Sequence, residues 1–300
     1  MRSRPTPPAW LAAAPRTLLE KMYMGDRHAR SDSATTAVGE SLRTHAMNAL
    51  AQAIDSLGRR GARVHAGVHQ ARKALRHTRA VLALGASALG PDGMLIDRQL
   101  RRINRSLSSL RDAQALVETL DRLTKKHAAT TGPLLGRARR AAMRRRSAQT
   151  RFALHDDAGF ANRRAALAAL AAELQALPWQ DLREKDARRS LQRSESKARA
   201  AAKRARRSLH DDDWHRWRRR ARRVLQQQRA LVELSVVQKA GSDLDKALTT
   251  LLGEAQDYAL LLDHCADGSP FAEPDRKALR ALAKTGVRRA RARIAQGRLE

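Results

Sequence analysis

VHQARKALRHTR, residues 68–79, decides the fold of this chain because it carries two helical patterns at once. Apolar side chains recur at Val68, Ala71 and Leu75, and a spacing of three and four residues is typical of one face of an α-helix. A row of basic side chains follows the same period on the neighbouring face and contains His69, Arg72, Arg76 and Arg79. The segment therefore predicts an amphipathic helix that buries one face and presents a column of positive charge on the next, with Lys73 at its edge.

A second segment, WHRWRRRARR at residues 214–223, repeats this arrangement 146 positions later. In both segments basic residues stand three, four and seven positions after the histidine. Trp214 and Trp217 belong to the apolar face of the second helix. Its basic row contains His215, Arg218, Arg222 and Arg229, with Arg219 beside it. Leu225 stands where the first segment has Arg79, so the two rows are similar but unequal.

A third predicted helix has arginines at the same spacing without a histidine. Its basic row contains Arg98, Arg101, Arg102 and Arg105. Like charges four residues apart repel each other by a few tenths of a kcal/mol in an isolated helix, and a bound anion removes that cost. Each guanidinium contact with a phosphate is charge-assisted and can be bidentate. Three rows in the same phase predict a surface for a long polyanion, and the competing interpretation is a solvated face of a charge-rich protein.

The overall charge also indicates an anionic partner. The chain has 300 residues, with 60 Lys and Arg against 30 Asp and Glu, which gives a net charge of +30. Such an excess concerns partners and solubility, not the fold. Cys265 is the single cysteine, so an internal disulfide framework is excluded. No apolar run approaches the roughly 18 residues that a membrane span needs, and we expect a cytoplasmic protein.

The distribution of helix formers and helix breakers predicts an all-α fold. Ala, Leu, Arg and Gln dominate, and the alternating runs of β-branched and aromatic residues that indicate strands are nearly absent. Residues 1–33 are rich in Pro and then in Gly, Asp and Ser, which predicts a poorly ordered extension. Glycine, proline and aspartate clusters then separate predicted helices at residues 35–58, 64–86, 93–127, 134–153, 159–177, 180–209, 213–238, 242–264 and 273–297.

A second pair of segments extends the internal repeat. LSSLRD at residues 107–112 has its counterpart in LGEAQD at residues 252–257, 145 positions later. An arginine-rich helix follows in each half. Two copies of a roughly four-helix unit, residues 34–177 and 178–297, account for this order. Asp112 and Asp257 close the repeated segments, and we expect each to orient a neighbouring arginine.

The two histidine segments and the two segments that end in Asp112 and Asp257 resemble the CHAD family, the conserved histidine α-helical domain. The resemblance covers about residues 34–297. It implies an all-α domain of two four-helix bundles that arise from an internal duplication, are related by pseudo-two-fold symmetry and enclose a basic central groove. It also implies binding of inorganic polyphosphate and association with polyphosphate granules. The sequence departs from the family pattern at Ser108, where glycine is usual, and at Gln256, where arginine is usual.

The resemblance and the three basic rows together assign the candidate polyphosphate-binding residues. Matching the family's motif positions carries over His69, Arg72, Arg76, His215, Arg218 and Arg222. Lys73 and Arg219 are adjacent candidates. The predicted binding surface is extended by Arg79, Arg229 and the row Arg98, Arg101, Arg102 and Arg105. We expect no catalytic residues, cofactor or metal.

Three other functions remain as alternatives. Non-specific nucleic-acid binding is the strongest, because the electrostatic attraction to phosphate is the same; only nine aromatic residues are available to stack on bases, however. A catalytic function lacks a phosphate loop, a nucleophile elbow or a metalloprotease motif. His65 with His69, and His264 with Cys265, are bare pairs that do not make a metal site. Membrane-surface binding would need large aromatic residues on a basic amphipathic helix.

Overall fold

The computed structural model describes residues 38–126, 128–208, 210–237 and 246–296, with the side chains of residues 128–130 and 246 excluded. Over these ranges the chain is all-helical, which confirms the prediction of an all-α fold. The predicted extension at residues 1–33 lies outside the described residues. The helices are α1 (38–57), α2 (Val64–Leu84), α3 (Gly90–Ser106), α4 (Ser108–Lys126), α5 (Ala128–Asp156), α6 (Ala161–Gln175), α7 (Glu184–Arg207), α8 (Asp211–Glu233), α9 (Lys246–Asp263) and α10 (Glu273–Ala295).

The predicted helix at residues 93–127 is wrong in one respect, because the structure divides it into α3 and α4 at Leu107. Leu107 is fully buried, and the Ser108 hydroxyl donates a hydrogen bond of 2.6 Å to the carbonyl oxygen of Arg105. Arg72 of α2 donates to the Ser108 hydroxyl at 3.2 Å and to the carbonyl oxygen of Asn104. These hydrogen bonds satisfy polar groups at the break. The hydroxyl group of serine can bond to nearby backbone groups and thereby competes with the hydrogen bonds of a continuous helix. The break thus depends on a residue from another helix.

The predicted start of the following helix at residue 134 lies close to a kink, where two helical segments follow each other directly and together form α5. Gly132 and Pro133 indicate a boundary, yet α5 begins at Ala128. The backbone departs from helical geometry at Thr131, with φ −134° and ψ 16°. Pro133 therefore lies in the first turn after this irregularity, where its missing N–H costs nothing.

The apolar faces pack into two hydrophobic clusters, and each cluster combines helices from both halves of the chain. The first is formed mainly by α1, α2, α3, α6, α7 and α8 and contains Leu75, Leu191 and Val224. The second is formed by α4, α5, α9 and α10 and contains Leu120 and Leu261. Trp217, predicted on an apolar face, is 1% exposed. Burial of these faces supplies the main favourable free energy of folding.

Four helices form a closed ring of contacts where the two clusters meet. α2 contacts α8 and α4, and α9 also contacts α8 and α4. The basic rows of α2 and α8 lie next to their buried apolar rows, so this ring brings the two rows together. No helix in the described ranges is long and apolar enough to cross a membrane.

Candidate polyanion-binding site

Five guanidinium groups converge at the ring of helices. Arg72 and Arg76 come from α2, Arg218 and Arg222 from α8, and Arg111 from α4. We call these five residues the central arginine cluster. Four of them belong to the predicted rows, and the structure brings the rows from residues 68–79 and 214–223 together.

Burial and mutual repulsion perturb the members of this cluster. Burial, followed by the charges of Arg222, Arg72, Arg218 and Arg111, lowers the pKa of Arg76 from its ordinary value to about 9. Burial, followed by the charge of Arg222, lowers the pKa of Arg218 to about 10, and the nearby Asp257 opposes this shift. Both side chains remain charged at pH 7, so the site holds concentrated positive charge in a partly desolvated place.

Much of the hydrogen-bonding capacity of the cluster is unused. Within the described residues, the side chains of Arg76, Arg218 and Arg222 form no hydrogen bond or ion pair. Nε of Arg72, Nε of Arg218 and Nη1 of Arg111 are buried without a partner. Buried donors without acceptors are costly, and anionic oxygens are the acceptors that guanidinium groups bind most strongly. The arrangement is suited to a ligand that carries several anionic oxygens.

Arg111 is a member of the cluster that the sequence reasoning missed as a site residue. It lies in the repeated segment directly before Asp112, and that position was the available signal. Its Nη2 donates to Glu118 at 2.9 Å. The other oxygen of Glu118 accepts a hydrogen bond from Gln114 at 3.1 Å, and Gln114 in turn accepts one from Arg146 of α5 at 2.9 Å. Arg111 is therefore held in place by a carboxylate that is itself fixed by further hydrogen bonds.

His69 faces the central arginine cluster. Burial lowers its pKa, the charges of Arg111, Arg76 and Arg222 lower it further, and Glu118 opposes them. The imidazole of the ligand-free protein is therefore held towards its neutral form. Because a phosphate group favours the charged form, binding at this place would raise the pKa of His69.

His215 lies in different surroundings from His69. Burial lowers its pKa, but Asp211, Asp263 and Asp212 raise it, and among the causes of its shift only Arg219 adds positive charge. Its Nε2 is buried without a partner and lines a small recess together with Trp214, Leu252, Ala255, Gln256, Ala259 and Arg291. The motif histidines of the two halves thus face opposite charges.

The remaining predicted residues are distributed around the cluster. Arg79 forms a bidentate ion pair with Asp97, at 2.8 and 3.0 Å, so its charge is already neutralised. Arg101 and Arg105 of α3 lie near Arg219 of α8, whose pKa they lower after burial and Arg216. Arg101, Arg105 and Arg219 are exposed, and so are the other predicted residues outside the cluster, Lys73, Arg98, Arg102 and Arg229.

A further basic residue, Arg223, connects α8 to α3 and was not predicted. Burial lowers its pKa, Asp97 opposes that shift, and the charges of Arg79 and Arg101 add to it. The partly buried basic surface therefore continues from the central arginine cluster towards α3.

The two repeated aspartates behave differently from each other. Asp257 pairs with Arg122 of α4 at 2.6 Å, so the arginine that it orients lies outside both basic rows. Burial raises the pKa of Asp257, while Arg122, Arg218 and Arg111 lower it. Asp112 lies near Arg72 and Arg111 without an ion pair to either, within the part of the chain that the structure describes. In the same part of the chain, no group of three or more His, Cys, Asp or Glu is arranged to hold a metal ion.

Comparisons with known proteins place the chain in a family. The CHAD domain profile matches residues 43–266, which is most of the chain. No match is found among curated proteins. The fold is similar to the solved structure of PptA from Streptomyces chartreusis, with a TM-score of 0.63 and 18% identity over 87% of this chain and 99% of that chain. The matched range contains both histidine segments and all five members of the central arginine cluster. This chain belongs to the CHAD domain family.

Proposed function

We propose that this chain binds inorganic polyphosphate at the central arginine cluster and catalyses no reaction. The observation that carries the proposal is the convergence of five guanidinium groups, three of them without any side-chain partner among the described residues. Membership of the CHAD family agrees with polyphosphate-related binding at the family level.

The proposed binding surface is a groove that begins at His69, crosses the cluster and continues along Arg219 and Arg223 towards Arg101 and Arg105. The charge effects among these residues support the continuity of the surface. A flexible chain with one charge at each phosphate can satisfy several guanidinium groups in succession. Each added contact forms within a complex that is already bound, so long chains should be preferred over short ones.

We further propose that the groove arose by duplication of a four-helix unit and has pseudo-two-fold symmetry. The offset of 145 to 146 residues relates α2 to α8 and α4 to α9, and these helices are the four members of the ring. A duplicated pair of basic rows explains why one site contains two histidine segments. Association with polyphosphate granules in the cytoplasm would follow from the same affinity.

Single-stranded nucleic acid is the second candidate, since its backbone presents the same anionic oxygens. Base recognition usually adds stacking on aromatic side chains. Here Trp214 and Trp217 are buried against the apolar cluster and are not available for stacking. Polyphosphate therefore fits the cluster better than a nucleic acid does.

A competition titration tests the proposed function. Long-chain polyphosphate, pyrophosphate and single-stranded DNA are titrated at matched phosphate concentration and at several salt concentrations. We expect the tightest binding for long-chain polyphosphate, with a slope of log K against log salt of about −3.5 for five phosphate contacts. No release of orthophosphate is expected during incubation. Equal affinity for DNA and polyphosphate would contradict specific recognition.

A further inference from the structure

The hydrogen-bonded pair of Arg111 and Glu118 connects the central arginine cluster to a carboxylate. The inference drawn from this pair rests on the proposed function. Both residues lie on α4, seven positions and about two helical turns apart, so they share one face. Arg111 uses Nη2 for Glu118, while its Nη1 is buried and unpaired. One edge of the guanidinium is thus fixed and the other is free.

Glu118 is braced more firmly than a solvated surface carboxylate. Its second oxygen accepts from Gln114, which is itself held by Arg146 of α5. From the other helices, His65 and His69 of α2 and Asp257 of α9 also face this carboxylate. Without an acceptor at Glu118, repulsion from the four other arginines would drive Arg111 out of the cluster.

The corresponding position in the second half contains the carboxylate without the arginine. At an offset of 145 residues, Gln256 corresponds to Arg111 and Asp263 corresponds to Glu118. Gln256 and Asp263 both lie on α9 and are again seven positions apart. Asp263 lies near His215, as Glu118 lies near His69. Gln256 and His215 line the same recess.

We propose that Glu118 is a positioning residue that presents Arg111 to the polyanion. The second half of the site already contains the corresponding carboxylate, Asp263, and lacks the contact only because Gln256 stands in the place of the arginine. The site is accordingly one-sided. A single substitution should restore the missing contact.

The first experiment compares Glu118→Leu with Glu118→Gln by polyphosphate titration. Both variants remove the same negative charge, but only glutamine keeps an oxygen that can accept from Arg111. We expect E118L to weaken binding about fivefold and E118Q to bind at least as tightly as the wild type. The matched control is Glu254→Leu, which removes a carboxylate paired with Lys126 and Arg293 and should not weaken binding. Equal affinities of E118L and E118Q would overturn the positioning role.

The second experiment is a gain of function that does not depend on the stability of the Glu118 variants. Gln256→Arg should tighten polyphosphate binding about fivefold and steepen the salt slope by about 0.7. Combining it with Asp263→Leu should abolish the gain. Gln192→Arg, which adds the same charge on the exposed face of α7, should leave the affinity within about twofold.

Wild-type protein in the same titration distinguishes the two possible failures. Absence of wild-type binding would contradict both the proposed function and this inference. Wild-type binding without a gain in Q256R, or with the same gain in Q192R, would contradict this inference alone.

Discussion

At the scale of single residues, Arg76 shows that the electrostatics of the site reduce the stability of the folded protein. Its guanidinium is partly buried, has no side-chain partner in the described part of the chain and faces four like charges. The folded-state pKa of about 9 lies below the ordinary pKa that an arginine has in the unfolded chain, so the unfolded chain binds the proton more tightly. The cost is therefore fully present below about pH 9 and is relieved as the pH rises above the folded-state pKa of about 9.

Replacing Arg76 should separate stability from binding. Arg76→Met retains much of the aliphatic side chain but removes the buried charge, and we expect the free energy of unfolding to rise by about 1 kcal/mol at pH 7. Polyphosphate affinity should fall, because a phosphate contact is lost. Denaturant unfolding and titration of the same sample measure both effects. Arg199→Met, on the exposed face of α7, is the control and should change neither quantity appreciably. A loss of stability in R76M would show that the charge is not costly.

At the scale of elements, the position of α2 depends on a close approach to the end of α1. A Cβ atom added at Gly67 would lie 2.2 Å from the carbonyl oxygen of Ser56 and 3.2 Å from Cβ of Arg59. Backbone cannot move aside as a side chain can. Gly67 therefore sets how closely α2, with its basic row, packs against α1.

Gly67→Ala should consequently destabilise the protein by about 3 kcal/mol, at the upper end of the usual cost of overpacking. Gly136→Ala is the matched control in α5, where the added Cβ would meet only Nη1 of Arg140 at 3.7 Å. That substitution should stabilise the protein by about 0.5–1 kcal/mol through helix propensity. Thermal unfolding measures both, and a Gly67→Ala variant as stable as the wild type would contradict the close packing.

Helix prediction succeeded and failed for identifiable reasons at this scale. Periodicity is a local property, so α2, α8 and their buried faces follow from it. Leu107 carries no sign of a helix end, because the break there is supported by a contact from Arg72 on another helix. Pro133 indicated a helix start, and the backbone of α5 does depart from helical geometry close by, at Thr131. Contacts across the fold are invisible to a local pattern.

At the scale of the whole molecule, the position of the charge matters more than its amount. The net charge of +30 is spread over many surfaces, including the exposed face of α7, where Arg199 and Lys203 are exposed. At the ring of α2, α4, α8 and α9, five arginines from three helices share a partly buried space. Exposed charges are screened by salt within about 8 Å at physiological ionic strength, whereas partly buried ones are screened less.

Two charge-reversed double variants test whether location governs binding. Arg76→Glu with Arg222→Glu should reduce polyphosphate affinity at least about a hundredfold, since both phosphate contacts become repulsive. Arg199→Glu with Lys203→Glu changes the net charge equally and should reduce the affinity by less than about threefold. Circular dichroism confirms that each variant remains helical. Similar losses in the two variants would show that the chain binds by net charge alone.

The sequence by itself determined the all-α fold, the approximate bounds of most helices and the buried faces of α2, α3 and α8, because these follow from residue spacing along the chain. It also indicated the family through its two histidine segments. Only the tertiary structure decided that Arg76 meets Arg222 from a segment 146 positions away, that Arg111 joins them, and that Asp97 neutralises Arg79. The physical reason is that charge acts through space: whether a guanidinium is free, repelled or paired depends on the helices that pack around it.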